Sequence, residues 1–120
     1  MNLKQLSNRS LVEHLKESVA RERAALSDLL RYLREMEERQ LYLELGFSSL
    51  FAYCTTELGY SEPEAQVRIQ AMRLTRAVPE TEKHLEEGKL SLSVAAEAQG
   101  CFRREEKARS ALPQKEKRAA

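Results

Sequence analysis

The side chains that most often perform catalysis or bind metal ions are scarce in this chain. Among 120 residues there is one aspartate, Asp28, and two histidines, His14 and His84, which lie 70 positions apart. A metal-dependent nuclease site needs several acidic or histidine ligands that converge. The cysteines Cys54 and Cys101 are 47 positions apart and form no CxxC pair, so the spacing of zinc and redox sites does not occur. We therefore expect no catalytic residue, no metal site, no cofactor and no small-molecule substrate.

A second group of polar residues has the chemistry of nucleic-acid recognition, because amides read base edges and arginines bind phosphates. One polar strip of a predicted helix over 62–77 holds Glu62, Gln66, Gln70 and Arg73, and another holds Glu64, Arg68 and Thr75. A solvated helix face is the alternative interpretation of such strips. The candidate DNA-binding residues are Ser61, Gln66, Arg68, Gln70, Arg73, Arg76, Arg103 and Arg104.

The charge of the whole chain gives no reason to bind nucleic acid. Lysines and arginines number 20 and acidic residues 19, for a net charge of +1. Residues 101–120 are locally basic, with seven basic and three acidic side chains. Only local clustering could attract phosphate, so DNA binding requires Arg68, Arg73, Arg76, Arg103 and Arg104 to share one face.

The composition and the periodicity predict an all-α fold. Apolar residues make up 42% of the chain, with only four glycines and three prolines, and turn-poor chains of this kind are helical. We expect about five helices in one domain over 1–108: a long helix or helix pair over 10–43, and a bundle over 48–108 with helices near 49–58, 62–77, 80–87 and 92–108. Residues 109–120 are expected to be a flexible basic tail.

Local signals set the predicted helix ends. Ser10 with Glu13 and Ser61 with Glu64 have the spacing of capping boxes, and Gly46 is expected to end the first helix. The helix over 62–77 is apolar on two sides, with Ala65, Ile69 and Met72 opposite Val67, Ala71, Leu74 and Val78. A helix with two apolar faces is packed from both sides, which predicts a central position.

The first helix is too long for a compact domain of this size. A continuous helix of about 32 residues measures about 48 Å, whereas such a domain is only about 35 Å across. The helix therefore either breaks near Ala20–Ser27, or projects and needs a partner. The second alternative predicts a homodimer through 10–43.

The chain shows no sign of export or of membrane insertion. Its first residues, MNLKQLSNRS, lack the apolar region of a signal peptide, and no apolar stretch approaches the length of a membrane span. The sequence predicts a cytoplasmic protein without a membrane partner.

Residues 50–76 have the layout of a helix-turn-helix unit: a helix, a turn with Gly59 and Ser61, and a second helix. Over 57–99 the chain resembles the DNA-binding core of ParB-type partition proteins, with a Leu-Gly-x-Ser turn, a Pro-Glu pair and the segment EEGKLS. The motifs of the ParB nucleotide-binding domain are absent, so neither CTPase activity nor clamp formation is implied.

A second resemblance runs from Leu6 to Lys107. The segments LYLELGFSSLFAYCTTELGYSE, RIQAMRL, LSLSVAAEAQ and CFRREEK are similar to the helical N-terminal region of a bacterial group of HNH-type endonucleases. The His-Asn-His motif of their catalytic module is missing here. The resemblance implies a non-catalytic accessory module that binds DNA. The alternative is a module for protein–protein interaction or homo-oligomerisation without a nucleic-acid role.

Overall fold

A computed structural model of the chain describes residues 2–111, and every regular element in that range is helical. A 3₁₀ helix, Leu3–Gln5, precedes α1 (Asn8–Arg39), α2 (Leu41–Glu44) and α3 (Leu50–Thr56). They are followed by α4 (Glu62–Ala77), α5 (Glu80–Glu86) and α6 (Leu92–Ala111). The all-α prediction is confirmed, with six α-helices in the described range where about five were expected.

The start of α1 differs from the predicted capping box at Ser10. Ser7 is the N-cap, and its hydroxyl oxygen accepts a hydrogen bond from the backbone N–H of Ser10 at 3.1 Å. Ser10 thus lies inside the first turn as the donor, and the predicted box with Glu13 is wrong. Ser7 and Ser10 are equally good capping residue types, and Glu13, three residues after Ser10, makes the local sequence favour the wrong serine.

The long helix α1 is continuous for 32 residues, without a break near Ala20–Ser27. It ends at Arg39 rather than near 43, because Gln40 adopts the left-handed conformation with φ 51° and ψ 33°. The backbone N–H of Gln40 donates to the carbonyls of Met36 and Glu37 and closes the last turn. Gly46, with φ 93°, follows the separate short helix α2 instead of ending the first helix.

The central helix of the bundle is α4, which packs against α1, α3, α5 and α6. Ala65, Ile69 and Met72 on one side and Ala71 and Leu74 on the other are each no more than 3% exposed. The prediction of a helix packed from both sides is confirmed. The capping box at Ser61 is also confirmed, and the observed bounds of α4 match the predicted 62–77.

Only the C-terminal half of α1 belongs to the bundle. Ser27, Leu30 and Leu33 are its buried residues, and Arg31 forms an ion pair with Glu82 of α5. We call residues 8–21 the α1 arm; at 1.5 Å per residue the arm is about 21 Å long. All its residues are exposed except Ser10 and Val19, which are partly exposed. The long helix therefore projects from the bundle, which was the second of the two alternatives predicted from the sequence.

The last helix also extends beyond the bundle. Residues 101–110 of α6 are all exposed, and the helix continues to Ala111 rather than ending near 108. The first residues assigned to a basic tail are thus helical, and residues 112–120 lie outside the described range. Among the described helices, none combines the length and the apolar character needed to cross a membrane.

Candidate functional site

A cleft lies between α4 and α6, and we call it the α4–α6 groove. Its volume is about 1060 Å³. Helix α4 contributes Gln66, Val67 and Gln70, and the facing side of α6 runs from Ser93 to Ser110. Four of the candidate DNA-binding residues line this one groove: Gln66, Gln70, Arg103 and Arg104.

Gln70 differs from the exposed polar residue that the helical wheel suggests. It is only 6% exposed, because α6 packs across this part of α4. Its side-chain carbonyl oxygen, Oε1, is buried and has no hydrogen-bond partner among the described residues. A buried carbonyl without a partner is unusual in a folded protein, and Gln70 lines the groove.

The basic residues of the groove come from the exposed half of α6. Arg103, Arg104 and Lys107 line it together with two carboxylates, Glu97 and Glu106. Neither Arg103 nor Lys107 forms an ion pair within residues 2–111. The guanidinium of Arg104 donates through Nη2 to the sulfur of Cys101 at 3.2 Å. Cations in this region are therefore available to an anionic ligand.

The structure places Arg73 and Arg76 elsewhere, in a clamp between α4 and α1. Nη2 of Arg73 and Nη1 of Arg76 each lie 2.8 Å from a carboxylate oxygen of Glu37. Burial raises the pKa of Glu37, but hydrogen bonds and charge from the two arginines outweigh it and hold that pKa below its usual value. These two arginines serve first to fasten the long helix to the bundle.

Arg68 and Ser61 are also held by local contacts. The Arg68 guanidinium lies 4.6 Å from the centre of the Tyr60 ring, and its Nη1 donates to the Glu64 carbonyl at 3.1 Å. Arg68 lines a smaller cavity of about 520 Å³ beside α1. Ser61 is the N-cap of α4: its hydroxyl accepts from the Glu64 N–H at 3.3 Å and its own N–H donates to the Glu64 carboxylate at 3.0 Å. Those bonds hold the pKa of Glu64 below its usual value.

The five arginines expected to share one face are therefore divided among three places. Arg103 and Arg104 line the α4–α6 groove, Arg73 and Arg76 bind Glu37, and Arg68 stacks on Tyr60. The exposed start of α4 carries Glu62 and Glu64, an unfavourable charge for a helix that enters a DNA groove. The geometry gives α4 the role of a structural centre rather than of a recognition helix.

Sequence reasoning missed Glu37, the carboxylate that binds the two candidate arginines Arg73 and Arg76. Its signal was present: Glu37 follows Leu33 by four positions and Leu30 by seven, on the apolar side of α1. A carboxylate on an apolar stripe needs a partner when it is buried. Lys107 was also missed as a lining residue, although it follows Arg103 by one helical turn.

A second surface with no partner in the structure is the apolar face of the α1 arm. Leu11, Val12 and Leu15 are 47%, 49% and 62% exposed. At about 100° per residue they lie on the same side of α1 as Leu30 and Leu33, which are buried in the bundle. The face that packs the core thus continues onto the arm and remains uncovered there.

The comparisons add no relative. No family model, no curated protein and no solved structure gives a significant match to this chain. Within residues 2–111, no three histidine, cysteine, aspartate or glutamate side chains lie close enough to hold a metal ion. The α4–α6 groove and the α1 arm are the candidate interaction surfaces of the described chain.

Proposed function

We propose that this chain is a non-catalytic helical module that forms a homodimer through the α1 arm. The observation that carries the proposal is the apolar face of the arm, which continues the core-packing face of the same helix beyond the bundle. Contiguous apolar surface of this kind marks interaction sites on soluble proteins. The projecting helix leaves the leucines and Val12 of that surface exposed to solvent.

The spacing along α1 is that of a helix that pairs with another helix. Four apolar residues recur at intervals of seven, and three more lie three positions after members of that set. The first set is Val12, Val19, Leu26 and Leu33; the second is Leu15, Leu29 and Met36. A seven-residue repeat keeps one seam facing a partner. The bundle is the partner of the C-terminal half, whereas among residues 2–111 Leu15 and Val12 of the arm remain exposed.

The charges on the arm favour a second copy as the partner. Residues 8–21 carry the basic Arg9, Lys16 and Arg21 and the acidic Glu13 and Glu17. A surface with an apolar centre and mixed charges at its border is compatible with its own copy, which is the requirement of a two-fold symmetric interface. Two arms in antiparallel orientation also place opposite helix dipole ends together.

The dimer is tested by sedimentation equilibrium on the wild-type chain and on Leu15→Glu. The substitution removes one half-exposed leucine from each copy, worth about 1–2 kcal/mol each, so we expect the dissociation constant to rise at least about 30-fold. Leu43→Glu is the matched control, because Leu43 is 51% exposed on α2, outside the arm. A monomer at every concentration, or equal dissociation constants for wild type and Leu15→Glu, would contradict the proposal.

A second candidate function is the binding of nucleic acid in the α4–α6 groove. The specific observation in its favour is that Gln66, Gln70, Arg103 and Arg104 line one groove with Lys107. The resemblance to the accessory region of bacterial HNH-type endonucleases, and that to the ParB-type core, agree with this proposal. Arginine and lysine bind phosphates, and the amides supply hydrogen bonds to bases.

The test of this second function is fluorescence anisotropy with labelled oligonucleotides at several salt concentrations. Replacing Arg103 and Arg104 together by alanine should weaken binding and reduce the slope of log affinity against log salt by about 1.4–1.8. Arg39→Ala is the control, because Arg39 is exposed, pairs with Glu35 and does not line the groove. Unchanged affinity and slope in the Arg103 and Arg104 double variant would refute nucleic-acid binding in this groove.

A further inference from the structure

We infer that the α4–α6 groove accepts an unpaired nucleic-acid strand rather than a duplex, with a base hydrogen-bonded to Gln70. This inference rests on the second candidate function, and it names the form of the nucleic acid and the residue that reads it. The occupant must satisfy two features of the groove: a recessed carbonyl and a set of cations farther along α6.

The recessed feature is the amide of Gln70. Its side chain is 94% removed from solvent, and Oε1 has no donor within the described residues. A carbonyl oxygen accepts N–H or O–H groups, and every unpaired nucleobase offers at least one N–H group, whereas an abasic residue offers none from a base. A base that displaces the packing over this amide would therefore find an acceptor that no residue within 2–111 uses.

Small residues of α6 lie across the groove from this amide. Ala96 and Gly100 line the groove opposite Gln66 and Gln70. A Cβ placed on Gly100 would lie 3.5 Å from Nη1 of Arg104, so the guanidinium rests against the glycine. A guanidinium, which can bind phosphate, thus lies directly beside the lining of the groove at Gly100.

The concave shape decides between a strand and a duplex. The base edges of a duplex lie inside its own grooves, and a protein reads them with a protruding element. Gln70 does not protrude, since it lies between two helices. An unpaired strand can instead turn a base into the groove while its phosphates contact the arginines. The lining of α6 from Ser93 to Ser110 spans about 26 Å, which suits an extended polymer.

The experiment compares three labelled oligonucleotides of one length by anisotropy: a single strand, its duplex, and a single strand with abasic residues. With the wild-type chain, the single strand should bind at least about tenfold more tightly than the duplex. Gln70→Leu removes the acceptor at similar volume, and should weaken binding of the base-bearing strand about tenfold, the effect of one lost hydrogen bond. The same variant should bind the abasic strand as wild type does, whereas Arg104→Ala should weaken both strands.

Equal or tighter binding of the duplex by the wild-type chain would overturn the inference while leaving nucleic-acid binding in place. A Gln70→Leu variant that weakens the base-bearing and abasic strands equally would show that no base contacts this amide, and would overturn it too. If the wild-type chain binds none of the three oligonucleotides, the second candidate function fails and the inference fails with it. The comparison of strand with duplex needs no variant, so it holds even if Gln70→Leu does not fold.

Discussion

Arg73→Ala is expected to lower the free energy of unfolding by about 2–3 kcal/mol. Nε and Nη2 of Arg73 lie 3.2 and 2.8 Å from Oε2 of Glu37, so two hydrogen bonds to a carboxylate are lost. The Glu37 side chain is only 16% exposed and that of Arg73 32%. The carboxylate then keeps Arg76 as its one remaining basic partner, and a hydrogen bond to a charged group contributes about 1.5–3 kcal/mol.

The matched control is Arg39→Ala. Arg39 pairs with Glu35 at 2.8 Å, but their side chains are 68% and 53% exposed. An exposed pair of this spacing stabilises a helix by about 0.3–0.5 kcal/mol. The closest N–O distance equals that of Arg73 to Glu37, but the control pair is exposed, lies within one helix and has a single hydrogen bond. Urea unfolding followed by circular dichroism gives both free energies.

A double-mutant cycle with Glu37→Gln isolates the pair from other effects of removing a side chain. We expect Arg73→Ala to cost at least about 1 kcal/mol less in the Glu37→Gln background than in wild type. If Arg73→Ala costs no more than Arg39→Ala, the clamp is not a stabilising contact. Binding by Glu37 would then not explain why Arg73 and Arg76 are absent from the nucleic-acid site.

Three further outcomes are expected. Gly88→Ala should lower the free energy of unfolding by about 1–2 kcal/mol, because Gly88 has φ +77° and its new Cβ would lie 2.5 Å from the Arg23 guanidinium. The control Gly46→Ala, at φ +93° with open space around the new Cβ, measures the backbone cost alone. Urea unfolding that shows no loss of stability for Gly88→Ala would contradict this strain. The pKa of Glu37 is lower in the folded chain than in the unfolded chain, so ionised Glu37 stabilises the fold fully above the unfolded pKa, and this stabilisation is lost as the pH falls through the folded pKa. The melting temperature should therefore decrease when the pH is lowered below about 4.5, and it should decrease less steeply in Glu37→Gln. Iodoacetamide followed by mass spectrometry should modify the exposed Cys101 before Cys54, whose pKa burial raises; equal rates in the folded chain would argue against that burial.

The parts of the fold that the sequence predicted well depend on local signals. The start of α4 is set by the hydrogen bonds between Ser61 and Glu64, and its end is set by Val78, which precedes Pro79. Each of these signals lies within a few residues of the helix end that it determines. The burial of α4 on two sides followed from its apolar periodicity. The end of α1 was missed because Gln40, a residue without a strong turn preference, adopts the left-handed conformation that glycine usually takes.

The parts of the candidate site that the sequence did not predict depend on contacts between distant residues. Gln70 and Arg73 belong to one polar strip on the helical wheel, yet α6 covers the first and Glu37 of α1 binds the second. Periodicity places a side chain on a face of its own helix. Which neighbouring helix lies over that face is decided by packing among residues that are far apart in the sequence, and no spacing rule within α4 contains that information.

The projecting helix also changes how the molecule moves through a solvent. The described chain measures 70 × 38 × 21 Å, and its radius of gyration is 19.0 Å, against about 14 Å for a compact domain of this length. Such a rod-like particle has a higher frictional coefficient than a sphere of equal mass, and it diffuses and tumbles more slowly. A single chain should therefore leave a size-exclusion column early, at the position of a larger globular protein. Pairing of two arms side by side would double the mass but lengthen the particle by a smaller factor. The frictional ratio of the dimer, compared with that of the monomer, therefore distinguishes arms that overlap from arms that meet end to end.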